Sequence, residues 1–193
     1  MTAQTQTQLF TVDEYLDQER ASPERHEYRD GEMIPMTGGT PNHNEIAGNI
    51  YILLKSALKG KSFRTFYIDQ RLWIPARNRY TYPDVMVLPK PIQLQPGRND
   101  TVTNPCFIAE VLSKSTQNYD RSDKFVAYRT IPSFQEYLLV EQCRVHVEHH
   151  VKTGVNQWLF SEYDDPDTNL TLKTLNINLS IADFYDDIEF IPR

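Results

Sequence analysis

Two apolar runs, each broken by a single carboxylate, constrain this chain more than any other feature. Tyr82-Pro83-Asp84-Val85-Met86-Val87-Leu88 and Cys106-Phe107-Ile108-Ala109-Glu110-Val111-Leu112 have the length and β-rich composition of buried strands. A charge inside such a strand is costly unless it is paired or holds a cation. Glu110 follows Asp84 by 26 positions, room for one strand, a loop and the neighbouring strand. If both side chains face one way, the acids can share a Mg²⁺ ion, which favours carboxylate oxygens and keeps several waters. Taken singly, Asp84 capping a turn and Glu110 pairing with Arg71, Arg77 or Arg79 is the plainer account.

The surrounding pattern places these strands. Thr11 before Asp13-Glu14 predicts a helix over 12–19, and Asp30-Gly31 predicts a hairpin turn between β arms over 27–34. Gly38-Gly39 breaks the chain. Thr40-Pro41 then opens a helix whose Ile46, Ile50, Leu53, Leu54, Ala57 and Leu58 share a face, with Gly60 as its stop. His43 sits at the start of that face. One long strand is expected over 63–74, a polar lid or rim loop over 89–105, a helix over 115–130 ended by Pro132, and a strand over 136–140. Further strands are expected over 144–152, 158–163 and 170–175, then a short helix over 181–185. This order predicts one α/β domain over 1–193: a mixed central sheet flanked by helices, with an N-terminal hairpin and C-terminal antiparallel strands.

Composition narrows the classes. The 193 residues suffice for one full core, and the two cysteines, Cys106 and Cys143, cannot frame a disulfide scaffold or a zinc site. Free thiols, a polar tail over 1–8 without an apolar stretch, and no 18-residue apolar run predict a cytoplasmic chain with no membrane span. A formal net charge of -6 is unlike a dedicated nucleic-acid binder, so any DNA contact must use a local basic patch or a metal.

Phosphodiester hydrolysis needs a metal to activate water and a cation to offset charge in the transition state. Asp120, Lys124 and Tyr128 lie four apart, one stripe of the helix that follows the Glu110 strand, so Lys124 can reach Glu110 if the helix crosses that strand. An ordinary surface pair of Asp120 with Lys124 explains the spacing equally well. Lys114 lies at a loop edge. The run His146-Val147-Glu148-His149-His150 alternates, which sends His149 away from its neighbours and reads as a solvated strand face. Arg64, Arg71, Arg77 and Arg79, with Trp73 and Tyr80 between them, fit either a phosphate track or an exposed hairpin. Trp158, Phe160 and Tyr163 suit a packing face or a dimer surface.

Several of these motifs occur together in a known family. Glu27-Tyr28-x-Asp30-Gly31-Glu32, Pro41-x-His43, Pro83-Asp84, Glu110-Val111-Leu112-Ser113-x-Ser115-Thr116, Asp120-x-x-x-Lys124 and Tyr128, with Ile131-Pro132-Ser133-Phe134-x-Glu136-Tyr137-x-Leu139-Val140, resemble the bacterial putative restriction endonuclease family within the PD-(D/E)xK nuclease superfamily. The resemblance spans 12–140. It implies a restriction-endonuclease-like core with Asp84 and Glu110 as ligands of Mg²⁺ or Mn²⁺. The superfamily's usual lysine position is Leu112 here, and the family pattern implies that Lys124 supplies the ammonium. Glu27, His43 and Tyr128 match auxiliary positions.

Three functions follow as expectations. The first is a Mg²⁺-dependent endodeoxyribonuclease acting on DNA, with a homodimer for cutting both strands. The second is an inactive nuclease fold kept as a binding or regulatory module, which suits Leu112 and the acidic total. The third, carbohydrate hydrolysis by paired carboxylates, leaves Lys124 without a role.

Overall fold

In a computed structural model the protein is described over residues 8–190. The tail expected over 1–8 therefore lies outside the described residues, apart from Gln8. Helix α1 (Val12–Ala21) opens on a capping box: Thr11 Oγ1 accepts from the Glu14 amide, and the Glu14 carboxylate accepts from the Thr11 amide at 2.7 Å. The hairpin β1 (His26–Arg29) and β2 (Glu32–Pro35) turns through Asp30 and Gly31, both at positive φ, as the Asp-Gly pair requires. Helix α2 (Pro41–Ala57) starts at N-cap Thr40 and buries Ile46, Ala47, Ile50 and Leu54.

The expected single strand over 63–74 is instead two. β3 (Phe63–Tyr67) and β4 (Arg71–Ile74) belong to different sheets, and the chain turns between them at Ile68, whose φ of 48° is uncommon for a β-branched residue. An alternating pattern cannot reveal such a corner, because both halves stay β. β5 (Arg79–Thr81), β6 (Val85–Pro89), a short β7 (Thr101–Val102) and β8 (Phe107–Leu112) follow. Asp84 stands immediately before β6 rather than inside it. The segment over 89–105 is no free lid: β7 pairs in parallel with β4, and Thr101 and Val102 are buried.

The remaining strands are β9 (Glu136–Glu141), β10 (Val147–Gly154), β11 (Gln157–Tyr163), β12 (Asn169–Leu172) and β13 (Ile177–Ser180), closed by a turn of helix at Ile181–Phe184. Six strands form one sheet, β11-β10-β9-β8-β6-β3, in which only β8 and β9 run parallel. Five form another, β2-β1-β5-β4-β7, and β12 with β13 make a small third sheet. The strand expected over 170–175 ends at Leu172, and β13 is its unforeseen partner.

All six residues of β8 are buried. Phe107, Ala109 and Val111 face a core shared with α2 and β12–β13, whereas Ile108 and Leu112 face a second core with Leu72, Tyr128, Phe134 and Tyr137. Period-two alternation thus points Glu110 into the second core's side. That side is covered by helix α3 over 117–128, which leaves α geometry for a π turn at Asp120–Lys124. The expected helix over 115–130 is present but shorter and irregular.

Two expectations fail because of cover that alternation cannot report. His146, Glu148 and His149 are buried, not a solvated face. α3 packs over one side of β10, with Arg121 Nε 2.7 Å from Glu148, while residues after β12 close the other. Arg71 is likewise no exposed hairpin residue: it is buried and bonded to Thr101, Tyr82 and Asp100. Glu110 pairs with none of Arg71, Arg77 or Arg79. Trp158 packs on Phe125 and Phe134, as a packing face should, while Phe160 stays largely exposed.

Candidate functional site

Asp84 and Glu110 hold each other's strand ends. The Asp84 amide donates to Glu110 Oε2 at 3.3 Å, and the Val111 amide donates to Asp84 Oδ2 at 2.8 Å. This exchange follows from antiparallel pairing of β6 with β8, in which Val85 lies opposite Ala109. The two acids therefore start on neighbouring backbones with their carboxylates side by side.

Lys124 reaches over from α3 to meet them. Its Nζ lies 2.9 Å from Glu110 Oε1, 3.3 Å from Asp120 Oδ1 and 3.7 Å from Glu27 Oε1. The expected i,i+4 pair with Asp120 is thus real, but it is buried, not a surface pair. Tyr128 donates its hydroxyl to Glu110 Oε1 at 2.7 Å. The π turn keeps Asp120, Lys124 and Tyr128 on the face toward β8. Leu112 is locked in the core, and its carbonyl accepts from Gln142 Nε2.

His43 enters from the first turn of α2, with Nε2 3.3 Å from Asp84 Oδ2. Gly39 makes room for it, since a Cβ there would lie 2.8 Å from His43 Nδ1. Gln142 joins the two elements, because the Thr40 hydroxyl donates to its Oε1 while its Nε2 holds Leu112 at the end of β8. Glu27 accepts from the Thr81 hydroxyl and faces Lys124 from β1. All six candidates, Glu27, His43, Asp84, Glu110, Lys124 and Tyr128, are brought together. All but Tyr128 line a cavity of about 580 Å³ that is walled by residues 35–39 and 113–116.

The electrostatics are those of a site with too much negative charge. Burial is the main force that raises the Glu110 carboxyl; Lys124 opposes it, Asp84 and Asp120 add to it, and the result is about 8. Burial works against the Lys124 charge, but Glu110, Asp120 and Glu27 overcome it and hold the ammonium well above its usual range. Three carboxylates thus share one ammonium, which stays charged, and the acids are left short of a proton or cation. Burial also lowers His43, yet its bond to Asp84 and the charges of Asp84, Glu110 and Asp120 raise it overall.

Sequence reasoning passed over Arg29, Tyr119 and Gln142. Arg29 was findable, because it stands two positions after Glu27 on one strand and so shares its face. Tyr119 and Gln142 carry no comparable signal.

The Uma2 family, described as "Putative restriction endonuclease", matches residues 12–183. The chain belongs to this family. Two uncharacterized proteins of Synechocystis sp. are similar to it. One, sll1609, is 42% identical over 156 residues, covering 81% of this chain and 88% of the relative. The other, slr1290, is 34% identical over 181 residues, covering 94% of each. A crystal structure of a putative nuclease belonging to DUF820, from Anabaena variabilis, superposes with a TM-score of 0.72 at 20% identity. It covers 92% of this chain and 98% of that one. The fold is therefore that of the family, a mixed α/β architecture. No helix among the described residues is long and apolar enough to cross a membrane.

Proposed function

We infer that the chain is a Mg²⁺- or Mn²⁺-dependent endodeoxyribonuclease, with Asp84 and Glu110 as metal ligands and Lys124 as the charge-stabilising group. One observation carries the reading: two carboxylates from adjoining strands and an ammonium from the next helix meet in a single cavity. Family membership supports it.

The donor set suits a hard divalent cation. Among the described residues no group of three or more His, Cys, Asp or Glu side chains could enclose a metal alone. Mg²⁺ does not demand that, since it binds through one or two carboxylates and fills its octahedron with waters and substrate phosphates. The elevated Glu110 carboxyl favours added positive charge at the same place. When bound, such an ion activates water and offsets phosphate charge.

The chain's own groups do the rest. Lys124 presents a permanent ammonium beside Glu110, placed to stabilise charge that grows on the phosphate. Tyr128 fixes the Glu110 rotamer, and His43 with Val111 fixes Asp84. Glu27 and Asp120 keep Lys124 charged and aimed. Cutting both strands takes two such sites, which a homodimer provides.

Purified protein should cut DNA with Mg²⁺ or Mn²⁺ and not in a chelator. Asp84→Asn and Glu110→Gln, which preserve shape, should reduce cutting to background, and Lys124→Gln should slow it by about 10²- to 10³-fold. Full activity in either acid variant rejects the assignment. Absence of calorimetric Mg²⁺ binding by the wild type favours the non-catalytic binding module instead.

A further inference from the structure

We propose that Arg29 and Arg79, with the Tyr119 ring beneath Arg29, form a subsite for a backbone phosphate of the nucleic acid adjoining the reacting one. The proposal rests on the nuclease reading and gives that site its substrate grip. Its starting point is an arrangement that is otherwise unfavourable. Arg29 and Arg79 stand directly opposite each other across β1 and β5. Like charges in that relation destabilise a sheet pair unless something anionic lies between or beside them.

Neither guanidinium is satisfied by the protein. At ion-pair distance Arg29 has only Glu27, at a loose 3.8 Å, and Glu27 is already engaged by Thr81 and Lys124; the exposed Glu32, opposite Arg29 across β1 and β2, forms no ion pair with it. Arg79 reaches only the main-chain carbonyl of Asp123, at 3.3 Å. The Nε atoms of both are buried without a hydrogen-bond partner. Arg71 shows what a structural arginine looks like in this molecule: its Nε bonds Thr101, one terminal nitrogen bonds Tyr82 and the other bonds Asp100 at 2.6 Å. Buried charged donors left open are costly to a protein unless a ligand completes them.

The placement selects the ligand. The Arg29 guanidinium lies over the Tyr119 ring, 3.8 Å from its centroid, a cation–π contact that fixes the fork where it lines the cavity. Burial and the Glu27 charge raise the Tyr119 hydroxyl to about 12 against the pull of Lys124, Arg29 and Arg79, and the Lys124 ammonium also lies 5.8 Å from the ring centroid. Arg29 and Tyr119 line the cavity that contains Asp84 and Glu110. A planar fork beside a second arginine matches the oxygens of a phosphate, and Arg29 opens on the same cavity as the acids without touching them, which leaves it for a phosphate other than the one attacked. The overall charge of -6 makes such a local grip necessary, because the protein's long-range field repels a polyanion.

The test is fluorescence anisotropy of a labelled DNA oligonucleotide without terminal phosphates, measured in chelator so that nothing is cut. Arg29→Ala or Arg79→Ala should weaken binding about tenfold or more, and flatten the plot of log affinity against log salt by about one unit. Arg29→Lys should keep the salt slope but lose affinity, because it retains charge without the fork; it also serves if the alanine variant misfolds. Arg77→Ala, an exposed neighbour outside the subsite, should bind as wild type does. Wild-type affinity and slope in both alanine variants overturn the proposal. If the alanine variants lose binding but the wild type never cuts DNA with any divalent cation, the subsite stands and the nuclease reading falls. Metal-dependent cutting with unchanged binding does the reverse.

Discussion

Two buried glutamates on neighbouring strands, Glu110 in β8 and Glu136 in β9, have opposite fates. Glu136 is fully buried and enclosed: His149 Nε2 lies 2.7 Å from Oε1, and the Lys173 and Thr174 amides donate at 3.0 and 2.9 Å. Its partners are a histidine on β10 and the turn after β12, so it ties the small third sheet to the central one. Glu110 is as well buried but faces a cavity, and its neighbours include two more acids within reach of the same ammonium. One carboxylate has its donors supplied by the fold. The other has a surplus of acceptors around it, which a fold alone gives no reason to keep.

The difference can be broken most sharply by removing each acid. Glu136→Ala should cost about 3–5 kcal/mol of stability, because it strands His149 and two amides in a closed space. Chemical denaturation checks this, and the folded fraction should retain divalent-cation binding. Glu110→Gln should do the converse, keeping or raising stability while abolishing cation binding. Equal stability losses in the two would erase the distinction.

A second way concerns pH. The folded-state carboxyl of Glu110 lies above its unfolded value of 4.5, at about 8, and His43 is also raised. A group that binds its proton more tightly when folded contributes fully below its unfolded pKa, and that contribution is lost as pH rises through the folded one. In chelator the melting temperature should therefore fall between about pH 5 and 8. Mg²⁺ should flatten that slope by supplying the missing positive charge, and Glu110→Gln should flatten most of it without metal. A slope that Mg²⁺ leaves untouched would count against a cation at Glu110.

The mildest probe is Tyr128→Phe. Its hydroxyl bond favours the ionised Glu110, so its loss should push that carboxyl higher still and move the acidic limb of any activity profile upward. At neutral pH without metal, where that carboxyl mostly holds its proton, the stability cost should be near that of one ordinary hydrogen bond, about 0.5–1.5 kcal/mol by thermal or chemical unfolding.

How much of this was legible in the sequence depended on whether the signal was local. Thr11, Asp30-Gly31 and Thr40-Pro41 act on the residues beside them, and the helices and hairpin they announce are in place. Asp84, at the foot of β6, and Glu110, within β8, were legible because a charge in an apolar run is anomalous wherever it lies. The corner at Ile68 was not, since strand pattern persists on both sides of it. Nor was the burial of His149 and Arg71, which depends on elements distant in sequence: the turn after β12 for one, Asp100 and Thr101 for the other. Lys124 was half legible. Its spacing from Asp120 and Tyr128 gave the stripe, but not that the stripe faces inward.

The π turn at Asp120–Lys124 has a consequence for how this protein can vary. One residue more or fewer there would rotate everything downstream by about 100° around the helix axis. Lys124 would then swing off the acids, and Phe125, Ala127 and Tyr128 would turn out of the core they fill with Ile108 and Leu112. In this scaffold the phase of one helical turn ties the aim of the ammonium to the closure of the second core, so an insertion or deletion in that segment strikes chemistry and stability together.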